Sequence, residues 1–179
     1  MKLIPAVQLP TSWLDTNADG GTGMTTFLDP TLEVRCGRYR REFHLSASVD
    51  QASRHILLET GKHYGAVTMP AELGERVQRQ LAQAGLAGPV VHHPRARRWT
   101  FITGPAHPGT LTAAVSADLF RRYVTVACTG CQVVLPSADD ERTGYRTWAQ
   151  SPENSGAIPP LAAVIDATRA LAQPKAQAS

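Results

Sequence analysis

Lysine is scarce. Only Lys2, Lys62 and Lys175 stand among the 18 basic residues, and the rest are arginines. Cysteine is scarcer still. Cys36, Cys128 and Cys131 are too few, and odd in number, to make a disulfide framework. No run of about 18 apolar residues is present, which excludes a membrane-spanning helix. The opening Met1-Lys2-Leu3-Ile4-Pro5-Ala6 is too short an apolar run for a secretory signal, so the expected location is cytoplasmic. Charge of one sign is also lacking. A net +3 over 179 residues is too weak by itself to indicate a nucleic-acid partner. The familiar catalytic signatures are missing: GxSxG, HExxH, the Rossmann fingerprint and a complete phosphate loop, of which Thr60-Gly61-Lys62 is only a fragment.

What remains describes a folded chain. The 179 residues suit one domain with a real core, and a 42% apolar content argues against wholesale disorder. Arginine in place of lysine has two readings. GC-rich coding DNA favours arginine and alanine together. The guanidinium fork also grips phosphate and carboxylate better than an ammonium does.

Residues 1–50 carry few structural signals, and Asn17 to Gly23 reads as a turn or loop. From residue 51 to 173 the pattern is clear. His55–Thr60 and Gly65–Met69 read as strands, ended by Gly61 and Pro70. Residues 71–84 read as a helix with Leu73, Val77, Leu81 and Ala84 on one face and Gly85 as its stop. Two strands follow, Pro89–His93 and Trp99–Thr103, around the turn Pro94-Arg95-Ala96-Arg97-Arg98. A helix fits 111–121. Val124–Ala127 and Gln132–Leu135 read as a hairpin, and Tyr145–Trp148 as a further strand. A last helix fits 160–172, and 174–179 read as a disordered tail. The expected fold is α+β: one domain, a mostly antiparallel or mixed sheet, and two or three packed helices.

Several residues invite a functional reading. Arg95, Arg97 and Arg98 beside Trp99 form a basic turn next to an aromatic, which suits phosphate contact and base stacking. Arg35, Arg38, Arg40 and Arg41 form a second basic cluster. Cys128-Thr129-Gly130-Cys131 is a single CxxC. Zinc needs four ligands, and no spacing supplies the other two, so the expectation is small turn residues rather than a metal site. His92 and His93 point to opposite faces of a strand, which suits an edge strand at the surface. Asp139-Asp140-Glu141 reads as a solvated acidic turn. No catalytic residue, metal or cofactor is assigned.

Residues 53–165 resemble the prim-pol domain of bifunctional DNA primase/polymerases, in the archaeo-eukaryotic primase superfamily. They look most like its short, diverged actinobacterial members. The resemblance rests on Leu57-Leu58-Glu59-Thr60-Gly61 before Gly65–Pro70, and on Trp99-Thr100-Phe101-Ile102-Thr103-Gly104-Pro105. It rests further on Val133-Val134-Leu135-Pro136-Ser137 before Gly144-Tyr145-Arg146-Thr147-Trp148, and on Ile158-Pro159-Pro160-Leu161. In that family, carboxylates hold the two metals of nucleotidyl transfer. The resemblance places them in the Gly65–Pro70 and Val124–Val126 strands. Here the first has no acid and the second has Thr125. The family's nucleotide-binding histidine aligns with Trp99. The resemblance therefore implies a catalytically inactive, prim-pol-like binding protein. Its expected role is regulation of replication or transcription through nucleic-acid contact at Arg95, Arg97, Arg98, Trp99 and Arg35, Arg38, Arg40, Arg41. The rival is a protein–protein module of the replication or transcription machinery. A third reading is an unrelated enzyme using Cys128, Cys131 or a histidine.

Overall fold

The computed structural model describes residues 30–154 and 158–172. The expected turn at 17–23 and the tail at 174–179 lie outside them. Helix α1 spans Pro30–Arg41, and strand β1 spans Ala47–Asp50. Both belong to the folded body. The domain therefore takes in residues from Pro30 onward, not from 51. Leu32, Cys36 and Tyr39 recur on one face of α1 and are buried. Glu33, Val34, Arg35, Gly37 and Arg38 occupy the positions between them.

Strands β2 (His55–Glu59), β3 (Gly65–Pro70), β4 (Val90–His93) and β5 (Arg98–Thr103) and helices α2 (Ala71–Gln83) and α3 (Ala113–Phe120) follow the sequence pattern closely. Then come β6 (Thr125–Val126), β7 (Gln132–Leu135), α4 (Ala138–Thr143), β8 (Thr147–Gln150) and α5 (Leu161–Ala172). Two antiparallel sheets result. One has the order β1-β2-β7, and the other β6-β3-β5-β4-β8.

The expected 124–135 hairpin does not form. Thr125 and Val126 pair with β3, while Gln132–Leu135 pair with β2. The chain changes sheets in the intervening loop, because Thr60 at the end of β2 binds that loop on both sides. Its amide donates to the Cys131 carbonyl, and its carbonyl accepts from the Gly130 amide.

The larger sheet separates two cores. Ala66, Val91 and Ile102 on one face meet α1 and the inner residues of the smaller sheet, Ile56, Leu58, Val133 and Leu135. Val67, Met69, Val90, Trp99 and Phe101 on the other face meet α2, α3 and α5. Gly74 lets α2 lie close on the sheet, since a Cβ there would come 3.0 Å from the Trp99 side chain. Tyr39 ties the first core together. Its hydroxyl donates to the Pro136 carbonyl at 2.6 Å and accepts from the Trp148 indole at 3.0 Å. Burial pushes its phenol up to about 12, so it stays neutral. The molecule is one α+β domain with five α-helices among the described residues. None of those helices is long and apolar enough to cross a membrane.

Candidate nucleic-acid interface

Residues Pro94 to Arg97 close the β4–β5 turn, with the Arg97 amide donating to the Pro94 carbonyl and Arg97 at φ +51. The three arginines of this turn are held differently. The Arg95 guanidinium lies 4.9 Å from the centre of the Tyr145 ring, and Arg146 lies 4.8 Å from the same ring. Arg97 is 82% exposed and only grazes the equally exposed Glu72 at 3.4 Å, a contact worth almost nothing in water. Arg98 donates to the Thr68 carbonyl at 3.1 Å and to the Tyr123 carbonyl at 2.7 Å. Neither Arg95 nor Arg98 meets a carboxylate among the described residues. The neutral acceptors orient these side chains and leave their charge to act outward.

The bond from Arg98 brings a second segment into the site. Three helices here end in the same way, with one residue in the left-handed region just past the end. After α2 it is Gly85, after α4 it is Gly144, and after α3 it is Tyr123, at φ +58. In each case that residue donates to a carbonyl three back: Ala82, Glu141 and Phe120. The next residue donates to a carbonyl five back: Leu81, Asp140 and Leu119. Glycine takes this conformation freely, while a tyrosine is strained in it. Tyr123 is 76% exposed and Phe120 is 77% exposed, so neither ring repays that strain by packing among the described residues. Between them Arg121 is exposed. Arg121, Arg122 and Arg169 all reach Asp118 at 3.3 to 3.4 Å, and Asp166 lines the same cleft, so three arginines face two carboxylates. Against the desolvation that would raise it, the hydrogen bond from Arg169 and the charge of Arg122 hold the Asp118 carboxyl below its ordinary range. The result is a surface with two outward aromatics and a surplus of guanidinium groups.

Trp99 does not belong to that surface. It is 9% exposed, under Gly74 of α2 and beside Phe101. Its alternation partner positions on β5 face the α2–α5 core, so its indole cannot stack on a base.

The cluster on α1 is placed apart, and two of its four arginines are neutralised. Arg35 bonds Glu141 at 2.8 Å, and Arg38 bonds both Glu42 and Glu153. Arg40 and Arg41 are exposed in the last turn, where the helix carbonyls favour a cation. Helix α4 stands between the two clusters. Its acidic run is a helix rather than a loose turn, because Ser137 and Asp140 form a capping box. Asp140 is buried and takes both of its oxygens to Arg146, at 2.9 and 3.1 Å.

The histidines do not lie on an edge, since β4 runs between β5 and β8. His93 shares a hydrogen bond with Thr100 at 3.0 Å, and Thr100 with Thr68 at 2.9 Å. Burial first, then the charges of Arg146, His92 and Arg98, push the His93 ring down to about 4. Thr68 and Thr125 are register partners on β3 and β6. Threonines, not acids, thus stand at these paired positions. Among the described residues no three His, Cys, Asp or Glu side chains are grouped to hold a metal. Cys36 is buried in the first core, and Cys128 and Cys131 are exposed.

The sequence reading missed Phe120 and Tyr123. The signal was there in part, as a Phe-Arg-Arg-Tyr run at a helix end with no glycine to stop it. In comparison with known proteins, the chain matches no family model, no curated protein and no solved structure.

Proposed function

We propose that this chain is a catalytically inactive, prim-pol-like binding protein that contacts nucleic acid through the β4–β5 turn and the α3–β6 corner. The expected setting is the regulation of replication or transcription in the cytoplasm. The observation that carries the reading is the Arg98 side chain. It joins the arginine turn to the Tyr123 corner through a carbonyl and keeps its own charge free of any described carboxylate. Phosphates would meet Arg95, Arg97, Arg98 and Arg121, and the rings of Tyr123 and Phe120 would stack unpaired bases. A binding role rather than catalysis is supported by Thr68 and Thr125, whose hydroxyls offer no two-metal site.

The test is fluorescence anisotropy of labelled single-stranded and duplex oligonucleotides at about 50 and about 200 mM salt. The expected result is binding that weakens steeply with salt, with the single strand preferred. No binding of either at the lower salt would overturn the proposal. A second reading, a protein partner with an acidic surface, draws on the same two exposed rings, which are common anchors at protein interfaces. It takes precedence if oligonucleotides fail to bind.

A further inference from the structure

Cys128 and Cys131 sit in the loop where the chain passes from the larger sheet to the smaller, and both are exposed. The Cys131 amide donates to the Cys128 carbonyl at 3.1 Å, which closes a β-turn. Gly130 supplies the positive φ, +81, that the third position of such a turn requires. The turn is pinned from beneath by Thr60, only 2% exposed. The Thr60 hydroxyl donates to the Cys128 carbonyl at 2.6 Å, with the Cys131 carbonyl at 3.1 Å. Thr60 also exchanges main-chain bonds of 2.8 Å with Cys131 and Gly130. The backbone carrying the two thiols is thus fixed before any bond forms between them. The ends of a β-turn lie within about 7 Å, and a disulfide spans roughly 4.4–6.8 Å between Cα atoms.

We propose that Cys128 and Cys131 form a reversible dithiol–disulfide site, oxidised by low-molecular-weight disulfides. One thiolate attacks the sulfur–sulfur bond of the oxidant, forms a mixed disulfide and releases one small thiol. The neighbouring thiolate then attacks the cysteine sulfur of that mixed disulfide, forms the Cys128–Cys131 bond and releases the second small thiol. The pair gives up two electrons and two protons, and the oxidant becomes two thiols. Cys36 serves as an internal control. It is fully buried in the first core, and burial pushes its thiol up.

The experiment equilibrates the whole chain with glutathione at a graded ratio of oxidised to reduced form. Acid quenching, alkylation and mass spectrometry of the peptides follow. The expected product lacks two hydrogens, resists alkylation at Cys128 and Cys131 alike, and leaves Cys36 alkylated only after unfolding. Cys131→Ser is expected to trap a lasting glutathione adduct on Cys128. Thr60→Val keeps the shape of the anchor but removes its hydroxyl, and is expected to shift the equilibrium toward the thiols by up to about fivefold. Separate glutathione adducts on both cysteines of the wild-type chain, or disulfide-linked pairs of chains as the main product, would overturn the proposal. The wild-type spectrum decides the matter even if Thr60→Val fails to fold.

Discussion

On α1, Arg35 and Arg38 reach Glu141, Glu42 and Glu153. On the β4–β5 turn, Arg95 and Arg98 reach an aromatic ring and two carbonyl oxygens. The two clusters look alike in the sequence, yet Arg35 and Arg38 have their charge neutralised by the fold while Arg95 and Arg98 do not. The physical difference lies in the acceptor. A carboxylate orients a guanidinium and cancels its charge, whereas a carbonyl or a ring face orients it and leaves the charge in place. Counting arginines therefore says little about an anion site. What each arginine leans on says more.

Substitutions at the two clusters and around them test this difference, and Trp99 gives the largest expected effect. Trp99→Ala should cost about 3–5 kcal/mol of stability, the usual loss for a buried tryptophan. Thermal or denaturant unfolding checks this. A folded variant of unchanged stability that binds no nucleic acid would return the indole to the interface. Arg146→Ala leaves Asp140 buried and without its partner, and should cost roughly 3–5 kcal/mol. By contrast, Arg35→Ala should cost at most about 1 kcal/mol and leave affinity unchanged.

Affinity should follow the other cluster. Arg97→Ala combined with Arg98→Ala is expected to weaken oligonucleotide binding about tenfold or more at low salt. The same change should lower the slope of log affinity against log salt by about 2, uniformly across sequences. Arg35→Ala combined with Arg38→Ala is expected to change neither. Equal losses from both double variants would erase the distinction.

Tyr123→Gly separates function from folding. Relief of the left-handed tyrosine should leave stability unchanged or raise it by up to about 1 kcal/mol, as judged by denaturant unfolding. Loss of a stacking ring should weaken single-strand binding by roughly five- to a hundredfold and duplex binding far less. A destabilised variant with full affinity would show that Tyr123 is structural.

A separate effect is expected in acid. His93 titrates near 4 in the fold and near 6.5 when unfolded. Between those values the unfolded chain takes up a proton that the folded chain refuses. Stability should thus be full above about pH 6.5 and fall as the pH drops toward 4. His93→Asn should flatten that part of the pH profile, measured by denaturant unfolding across the range.

Much of this fold could be read from the sequence, because α2, β3, β5 and α5 follow plain periodicities bounded by Gly and Pro. Helix α1 was hidden because its Leu32, Cys36, Tyr39 stripe is short and is broken by Gly37 and by charged residues. Helix α4 is short, and its three acids read as a turn until Ser137 is seen to cap Asp140. The strand pairing at 124–135 was misread because local alternation does not say which sheet a strand joins, and a single buried threonine decides it. The site was half legible. The turn arginines stood out, but Trp99 was misassigned to the surface, since sequence does not tell which side of a strand faces a helix. Tyr123 escaped because side-chain type gives no warning of a left-handed backbone.

Strand pairing also fixes an order of events in folding. In the larger sheet, β3, β5 and β4 are near neighbours in the chain, joined through α2 and one tight turn. In the smaller sheet, β2 pairs with β1 at once, but its other edge waits for β7, with Ile56 opposite Leu135. Closing so long a loop is slow. During synthesis, β2 therefore emerges with an open edge that must stay unpaired until most of the domain has left the ribosome. Pulsed hydrogen exchange during refolding should find the amides of β3, β4 and β5 protected before those joining β2 to β7. The reverse order would mean that the crossover loop at Thr60 nucleates the fold.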